Sequence, residues 1–159
     1  MKKVIFFSVI IPCFNANKTI ERAIDSVLNQ SYQDFEIIIV DDKSTDNTLE
    51  IIEKYDDPKI DLIKLNQNSG PSIARNTGWN MAKGDFILLL NPDTFLTEDC
   101  FGPQLDFLRE NPDIGITIPK VLNADGSFQQ QSRRGDARPI EVFGYFLKLG
   151  KLFPQNKAF

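Results

Sequence analysis

Four short apolar runs, each followed by a segment of helical character or by a loop, constrain this chain more than any other feature. The runs at 4–11, 35–40, 60–65 and 85–90 are rich in Val, Ile, Leu and Phe. Near-continuous runs of this length read as parallel strands, and the one at 85–90 is expected to be buried on both faces. Residues 18–30 set Ile20, Ala23, Ile24, Val27 and Leu28 on one helical face, with Asn17 as its N-cap. Residues 45–55 form a second helical pattern around Leu49, Ile51 and Ile52. Pro71 opens a third, which runs to about Ala82 and is ended by Gly84. This strand–helix alternation implies a parallel sheet with right-handed crossovers. Farther along, 114–119 reads as another strand, Asn123-Ala-Asp-Gly126 as a hairpin turn and 140–149 as a helix. Met1-Lys2-Lys3 ahead of the first run imitates a secretory signal. Pro12 and the lack of a small-x-small cleavage site favour a strand instead.

A length of 159 residues suits one domain, and 42% apolar with 25% charged residues is an ordinary globular balance. No run approaches the ~18 apolar residues of a membrane-spanning helix. The chain has no His, which excludes Ser-His-Asp, Cys-His and HExxH chemistry. Cys13 and Cys100 form no CxxC pair, so a zinc or disulfide framework is not expected and a reducing cytoplasm fits. Charge is uneven. Through Gln130 there are 12 Lys and Arg against 20 Asp and Glu, and from Gln131 onward 6 against 2. The acidic body makes nucleic acid a poor partner. The basic end, with apolar residues from Ile140 to Phe153 between its charges, is read two ways. It is either core that packs against further chain, or a peripheral membrane contact through 133–157 at the inner face of the cell membrane.

In a parallel α/β sheet, ligands bind beyond the carboxyl ends of the strands, so the residues there carry the functional reading. No glycine precedes Gly70, which removes the dinucleotide GxGxxG loop and the Walker A loop. The first strand is followed by Pro12-Cys-Phe-Asn15, the second by Asp41-Asp42-Lys-Ser-Thr-Asp46, and the fourth by Asn91-Pro-Asp93-Thr94. An Asp pair at such a place either caps a helix and solvates a loop, or accepts hydrogen bonds from a base N–H or a ribose hydroxyl. Asp93 either sits in a turn or holds a hard divalent cation together with substrate phosphates. Arg75 is either a surface charge or the neutraliser of a diphosphate.

Five stretches in order resemble the amino-terminal part of a family 2 glycosyltransferase with the GT-A fold. They are Ser8-Val-Ile-Ile-Pro-Cys-Phe-Asn15, Ser26-Val-Leu-Asn-Gln30, Phe35-Glu-Ile-Ile-Ile-Val-Asp-Asp42, Gly70-Pro-Ser-Ile-Ala-Arg-Asn-Thr-Gly78 and Ala82-Lys-Gly-Asp-Phe-Ile-Leu-Leu-Leu-Asn-Pro-Asp93. The resemblance implies a three-layer α/β/α sandwich on a mainly parallel sheet. It implies transfer from a nucleotide-diphosphate sugar to a saccharide or lipid-linked acceptor, with inversion. It puts Pro12, Phe14 and Asn15 beside the donor nucleotide, Asp42 at the base, Asp41 in the loop that shapes it and Arg75 near the diphosphate. Asp93 then becomes the surviving carboxylate of a DxD site for Mn or Mg, with Asn91 replacing its partner. Asn-Pro-Asp here looks like a bacterial subgroup that builds surface polysaccharides.

Family catalytic domains are longer than this chain, so one domain, incomplete at its carboxyl end, is expected. Residues 1–98 would be the donor-binding core and 99–159 the start of the acceptor-side half. An inverting transfer needs a base for the acceptor hydroxyl proton. No residue matches that position, so the base is expected beyond Phe159, and donor binding without turnover is expected. A non-catalytic nucleotide-sugar-binding module is the alternative. A HAD-type phosphohydrolase needs its nucleophilic Asp where Asn91 stands, and Arg134-Gly-Asp136 as an adhesion signal is a tripeptide that chance supplies easily. As a strand-end loop residue, Asp42 is expected to carry little packing.

Overall fold

A computed structural model describes residues 6–97, 99–129 and 132. The chain separates into two compact units, Met1–Thr117 and Ile118–Phe159. In the first unit the elements follow as β1 (Phe7–Cys13), α1 (Ile20–Leu28), β2 (Phe35–Asp41), α2 (Thr48–Ile52), β3 (Ile60–Lys64), α3 (Pro71–Met81), β4 (Phe86–Leu89) and α4 (Phe101–Glu110). The four strands form one sheet in the order β3-β2-β1-β4, and every pairing is parallel.

β1 and β2 lie at the centre and are buried at every position, as their uninterrupted apolar runs require. Their register pairs Val9 with Ile37 and Ile11 with Ile39, so alternate residues of both strands share a face. Against that face pack Ile20, Ile24 and Val27 of α1, Ile52 of α2, and Phe101 and Leu105 of α4. Ile38 and Val40 face the other way and meet Ala74 of α3. These are the three layers that the resemblance implies. Each fully buried Ile or Val contributes about 1.5–3 kcal/mol.

α3 lies so close to the sheet that a Cβ on Gly78 would stand 2.4 Å from Ile10 Cγ2 and 3.3 Å from Val40 Cγ2. Glycine is therefore required there by space. At Gly70, which precedes the helix, it is required by backbone, because φ is +86° and ψ 163°.

Several expectations are corrected. Among the described residues β4 is an edge strand that pairs with β1 alone; Phe86, Ile87 and Leu88 are half-buried and Leu89 is exposed. Residues 114–119 form no strand, since none of them finds a ladder partner among the described residues, and Ile116 is exposed. Asn17 does not cap α1. The Ala16 carbonyl accepts the amides of Thr19 and Ile20 instead, while Asn17 donates its side-chain amide to Asn47 Oδ1. α2 is shorter than expected because Thr45 and Asp46 are drawn to Asn15, and its far end tightens into Lys54–Ile51 and Tyr55–Ile52 amide bonds.

The sequence pattern also gave no sign of α4. Gln30 anchors its start, accepting the amides of Cys100 (2.8 Å) and Phe101 (3.3 Å) while donating to the Thr97 carbonyl. Phe101 then stacks on Phe7 at 4.8 Å and meets Phe35 edge-on. In the second unit the expected turn is present. Gly126 donates to the Asn123 carbonyl at φ +80°, and Leu122 bridges Phe128 antiparallel. The expected helix at 140–149 and the basic stretch at 133–157 lie outside the described residues.

Candidate functional site

The carboxyl ends of β1 and β2 run directly into the loops that the sequence singles out. Asp42 follows β2, and its amide donates to the Cys13 carbonyl at 2.8 Å, which locks the two strand ends together. Its side chain is buried. Oδ1 accepts the Ser69 amide at 2.7 Å and Oδ2 the Gly70 amide at 2.8 Å. Asp42 thus holds the chain where it turns from β3 into α3, and the expectation that it carries little packing is corrected. A carboxylate oxygen has a second lone pair, so each can still accept a bond from a ligand.

Asp41 is also buried. Its Oδ2 accepts the Ser44 amide at 3.0 Å, and its Oδ1 lies 3.8 Å from the Cys13 thiol. Lys43 between them takes φ +65°, so Asp41 shapes a tight turn. Burial and the neighbouring Asp41 carboxylate push the Cys13 thiol up to about 12. Asn15, at φ +50°, braces the same loop from the other side. Its Oδ1 accepts the Thr45 amide at 2.8 Å and hydroxyl at 3.2 Å, and its own amide donates to Ser44 Oγ. Asp46 completes the brace. Burial pushes its carboxyl up, but hydrogen bonds from the Thr48 hydroxyl, the Thr48 amide and the Asn17 amide hold it below the usual carboxylate range.

Between these loops and α3 opens a cleft of about 130 Å³, with Pro12, Phe14, Asp42, Asn68, Gly70 and Ala74 in its wall. Complete ligand pockets are typically about 300–1,000 Å³, so this cleft fits one ring of a ligand and leaves the rest at the surface. Phe14 is 45% exposed and offers a ring at its mouth. Asn68 and Gly70 were not foreseen as cleft residues, although Gly70-Pro71 after the third strand is a turn signal that marks the place.

Arg75 follows Ala74 on α3. It is exposed, and its Nη2 donates to Asn91 Oδ1 at 3.4 Å. Asn91 opens a turn in which the Thr94 amide bonds back to its carbonyl. Asp93 in that turn is exposed, with the Thr94 hydroxyl at 3.4 Å from its Oδ1. The structure thus brings Arg75 and Asn91 together, and separately Asn15, Asp41 and Asp42. Among the described residues no group of three or more His, Cys, Asp or Glu can hold a metal ion. The donor set at Asp93 fits an ion shared with a ligand's own oxygens and does not fit one held by the protein alone. No described helix is long and apolar enough to cross a membrane.

At the opposite end of the sheet, Glu36 is buried. Its Oε1 accepts the Ser8 hydroxyl at 2.7 Å and the Lys83 amide at 2.8 Å, and Lys83 Nζ lies 3.3 Å from Oε2. Burial pushes this carboxyl up, yet those bonds outweigh it and hold it below the usual range.

Comparison with known proteins agrees with this architecture. The sequence is 41% identical to the poly(ribitol-phosphate) beta-N-acetylglucosaminyltransferase TarP of Staphylococcus aureus, over 98% of this chain and 50% of that one. The crystal structure of S. aureus TarS 1–349 in complex with UDP-GlcNAc superposes with a TM-score of 0.64 at 28% identity, covering 76% of this chain and 41% of that one. A mannosyltransferase from Pyrobaculum calidifontis, in complex with GDP-Man and Mn2+, matches with a TM-score of 0.55 at 26% identity, covering 59% and 29%. The chain spans about half the length of the curated relatives it matches, or less. The sequence profile for Glycosyl transferase family 2 matches residues 8–158, and the chain belongs to that family.

Proposed function

We propose that this chain is the donor-binding part of a glycosyltransferase. The reaction would pass a sugar from a nucleotide-diphosphate sugar to a saccharide or lipid-linked acceptor in bacterial cell-surface polysaccharide synthesis. The observation that carries this reading is the cleft between Phe14, Asp42, Asn68 and the start of α3, with Arg75 on the next residue of that helix. The base of the nucleotide would enter between Phe14 and Asp42, against Pro12, where a free carboxylate lone pair can accept its N–H. The side chains of Asn15 and Asp41 hold the loop, which would set Asn15 beside the nucleotide while Asp41 shapes the turn. The diphosphate would then run toward Arg75, Asn91 and Asp93.

A Mn or Mg ion, where used, would be held by Asp93 together with phosphate oxygens of the donor, and would supply positive charge to the departing diphosphate. Residues 1–98 would serve as the donor-binding core, and 99–159 would begin the acceptor side of the same domain. An inverting transfer needs a base for the acceptor hydroxyl, and we assign this chain the donor-binding part of the reaction. We place the enzyme in the cytoplasm.

Calorimetric titration with UDP, dTDP and GDP tests the reading. Binding of at least one of them, competed by its nucleotide sugar, supports it. No binding by a folded chain, with Mn or with EDTA, refutes it. Binding that persists when the complete protein fails to consume the nucleotide sugar in the presence of acceptor would favour a non-catalytic binding module.

A further inference from the structure

The contact between Arg75 and Asn91 changes how a diphosphate can be neutralised at this site. We propose that Asn91 keeps Arg75 as a resident cation for the donor's diphosphate, so that nucleotide binding by this chain depends only weakly on a divalent metal. The inference rests on the donor-binding reading above and goes beyond it.

Three observations carry it. Arg75 Nη2 meets a neutral amide oxygen at 3.4 Å, and no described carboxylate lies within ion-pair distance of its guanidinium. An aspartate at 91 would cancel that charge, whereas an amide oxygen orients the guanidinium and leaves it positive. Arg75 is also exposed, so its remaining N–H donors are open to a phosphate, whose oxygens match the planar fork. Finally, the oxygen that engages Arg75 is the one that would otherwise ligate a metal beside Asp93. A fixed positive charge against it disfavours a dication at that place.

Two cations that neutralise the same diphosphate act partly as alternatives, so removing one should make the other matter more. UDP affinity is measured by calorimetry in EDTA and in Mn2+ for the wild type, Arg75→Gln, Arg75→Lys and Asn91→Asp. Both positions are exposed, and unchanged melting temperatures confirm that the variants fold. The wild type should lose no more than about threefold in affinity when Mn2+ is withdrawn. Arg75→Gln should bind roughly tenfold more weakly in EDTA, the loss of one charge-assisted contact, and recover more of that in Mn2+ than the wild type gains. Asn91→Asp should do the same by pairing Arg75 and completing a second carboxylate. Arg75→Lys, which keeps the charge, should stay nearer the wild type. A wild type that binds UDP only with Mn2+, or a metal dependence equal in all four proteins, overturns the inference and leaves the donor-binding reading intact. Failure of the wild type to bind UDP, dTDP or GDP under either condition overturns both.

Discussion

Replacing Asp42 separates the two duties that the structure gives one carboxylate. In Asp42→Ala the amides of Ser69 and Gly70 lose acceptors now at 2.7 and 2.8 Å, at a position only 4% exposed. A hydrogen bond to a charged group is worth about 1.5–3 kcal/mol, and two would sum to roughly 3–6 kcal/mol if neither amide found another partner. Both lie in a loop that can relax toward water, so the expected loss is near the lower end, about 3 kcal/mol. For a chain of this size that corresponds to a fall in Tm of roughly 6–12 °C. Asp42→Asn keeps one acceptor oxygen and turns a second donor toward an amide, so it should fall between wild type and alanine. Thermal and urea melts followed by circular dichroism give the stabilities. Calorimetry with UDP, well below the melting range, gives the ligand effect separately. Both variants should bind UDP more weakly, alanine the more so. An Asp42→Ala protein within about 1 kcal/mol of wild-type stability would mean that the two amides have other acceptors, and the reasoning would fail. Unchanged UDP affinity in that protein would remove Asp42 from the base site.

Gly78→Ala forces a methyl to 2.4 Å from Ile10 Cγ2 in the core, so α3 must move off the sheet. The expected cost is about 1–3 kcal/mol despite alanine's better helix propensity, and UDP affinity should fall as Arg75 moves with the helix; urea melts and calorimetry read both. The Glu36 carboxyl titrates lower in the folded chain than in the unfolded one, because the Ser8 and Lys83 bonds outweigh burial. Its stabilisation is present above the unfolded value and is lost as pH falls through the folded one, so Tm should drop as pH falls below the ordinary glutamate value of about 4.3. Glu36→Gln should flatten that drop, with Asp46 retaining a contribution of the same sign; an equal slope in the variant would refute the assignment. Cys13, buried and pushed up to about 12 by burial and Asp41, should resist a disulfide reagent until the chain unfolds. Cys100 is partly exposed, and its thiol should react first; a faster Cys13 would show that the end of β1 opens in the native state.

What could be read from the sequence was what local pattern dictates. β1 and β2 were legible because a strand covered on both faces must be apolar at consecutive positions, and 9–11 and 37–40 are. The same logic failed for β4, whose Phe-Ile-Leu-Leu run is as apolar but lies at an edge of the described sheet. Composition reports what a strand can tolerate and not which neighbours it receives. α4 escaped for the converse reason. Gly102 and Pro103 in its first turn read as breakers, while its anchor is Gln30, which lies 70 residues before Cys100. Ser26 and Gln30, noted only as part of a family stretch, turn out to tie α1 to 96–101 through bonds that periodicity cannot contain.

The site divides along the same line. That ligand chemistry belongs at the ends of β1, β2 and β4 follows from parallel topology alone, because every such strand points its carboxyl end the same way. Residue type adds that Asp41, Asp42 and Asp93 can accept and Arg75 can donate. Which acceptor is already engaged is a different kind of fact. Asn15 and Asp42 look equally available in the sequence, yet Asn15 Oδ1 is drawn to Thr45 across 30 positions and Asp42 to Ser69 across 27. Asn91 shows why this matters for function. Read alone, it is a defective metal ligand. Read with Arg75, which reaches it from another element 16 positions away, it is an uncharged support for a positive group. Asparagine and aspartate differ here by one heteroatom, and they fix the charge left for a diphosphate in opposite ways. One leaves the guanidinium's charge free; the other neutralises it and calls for a metal in its place.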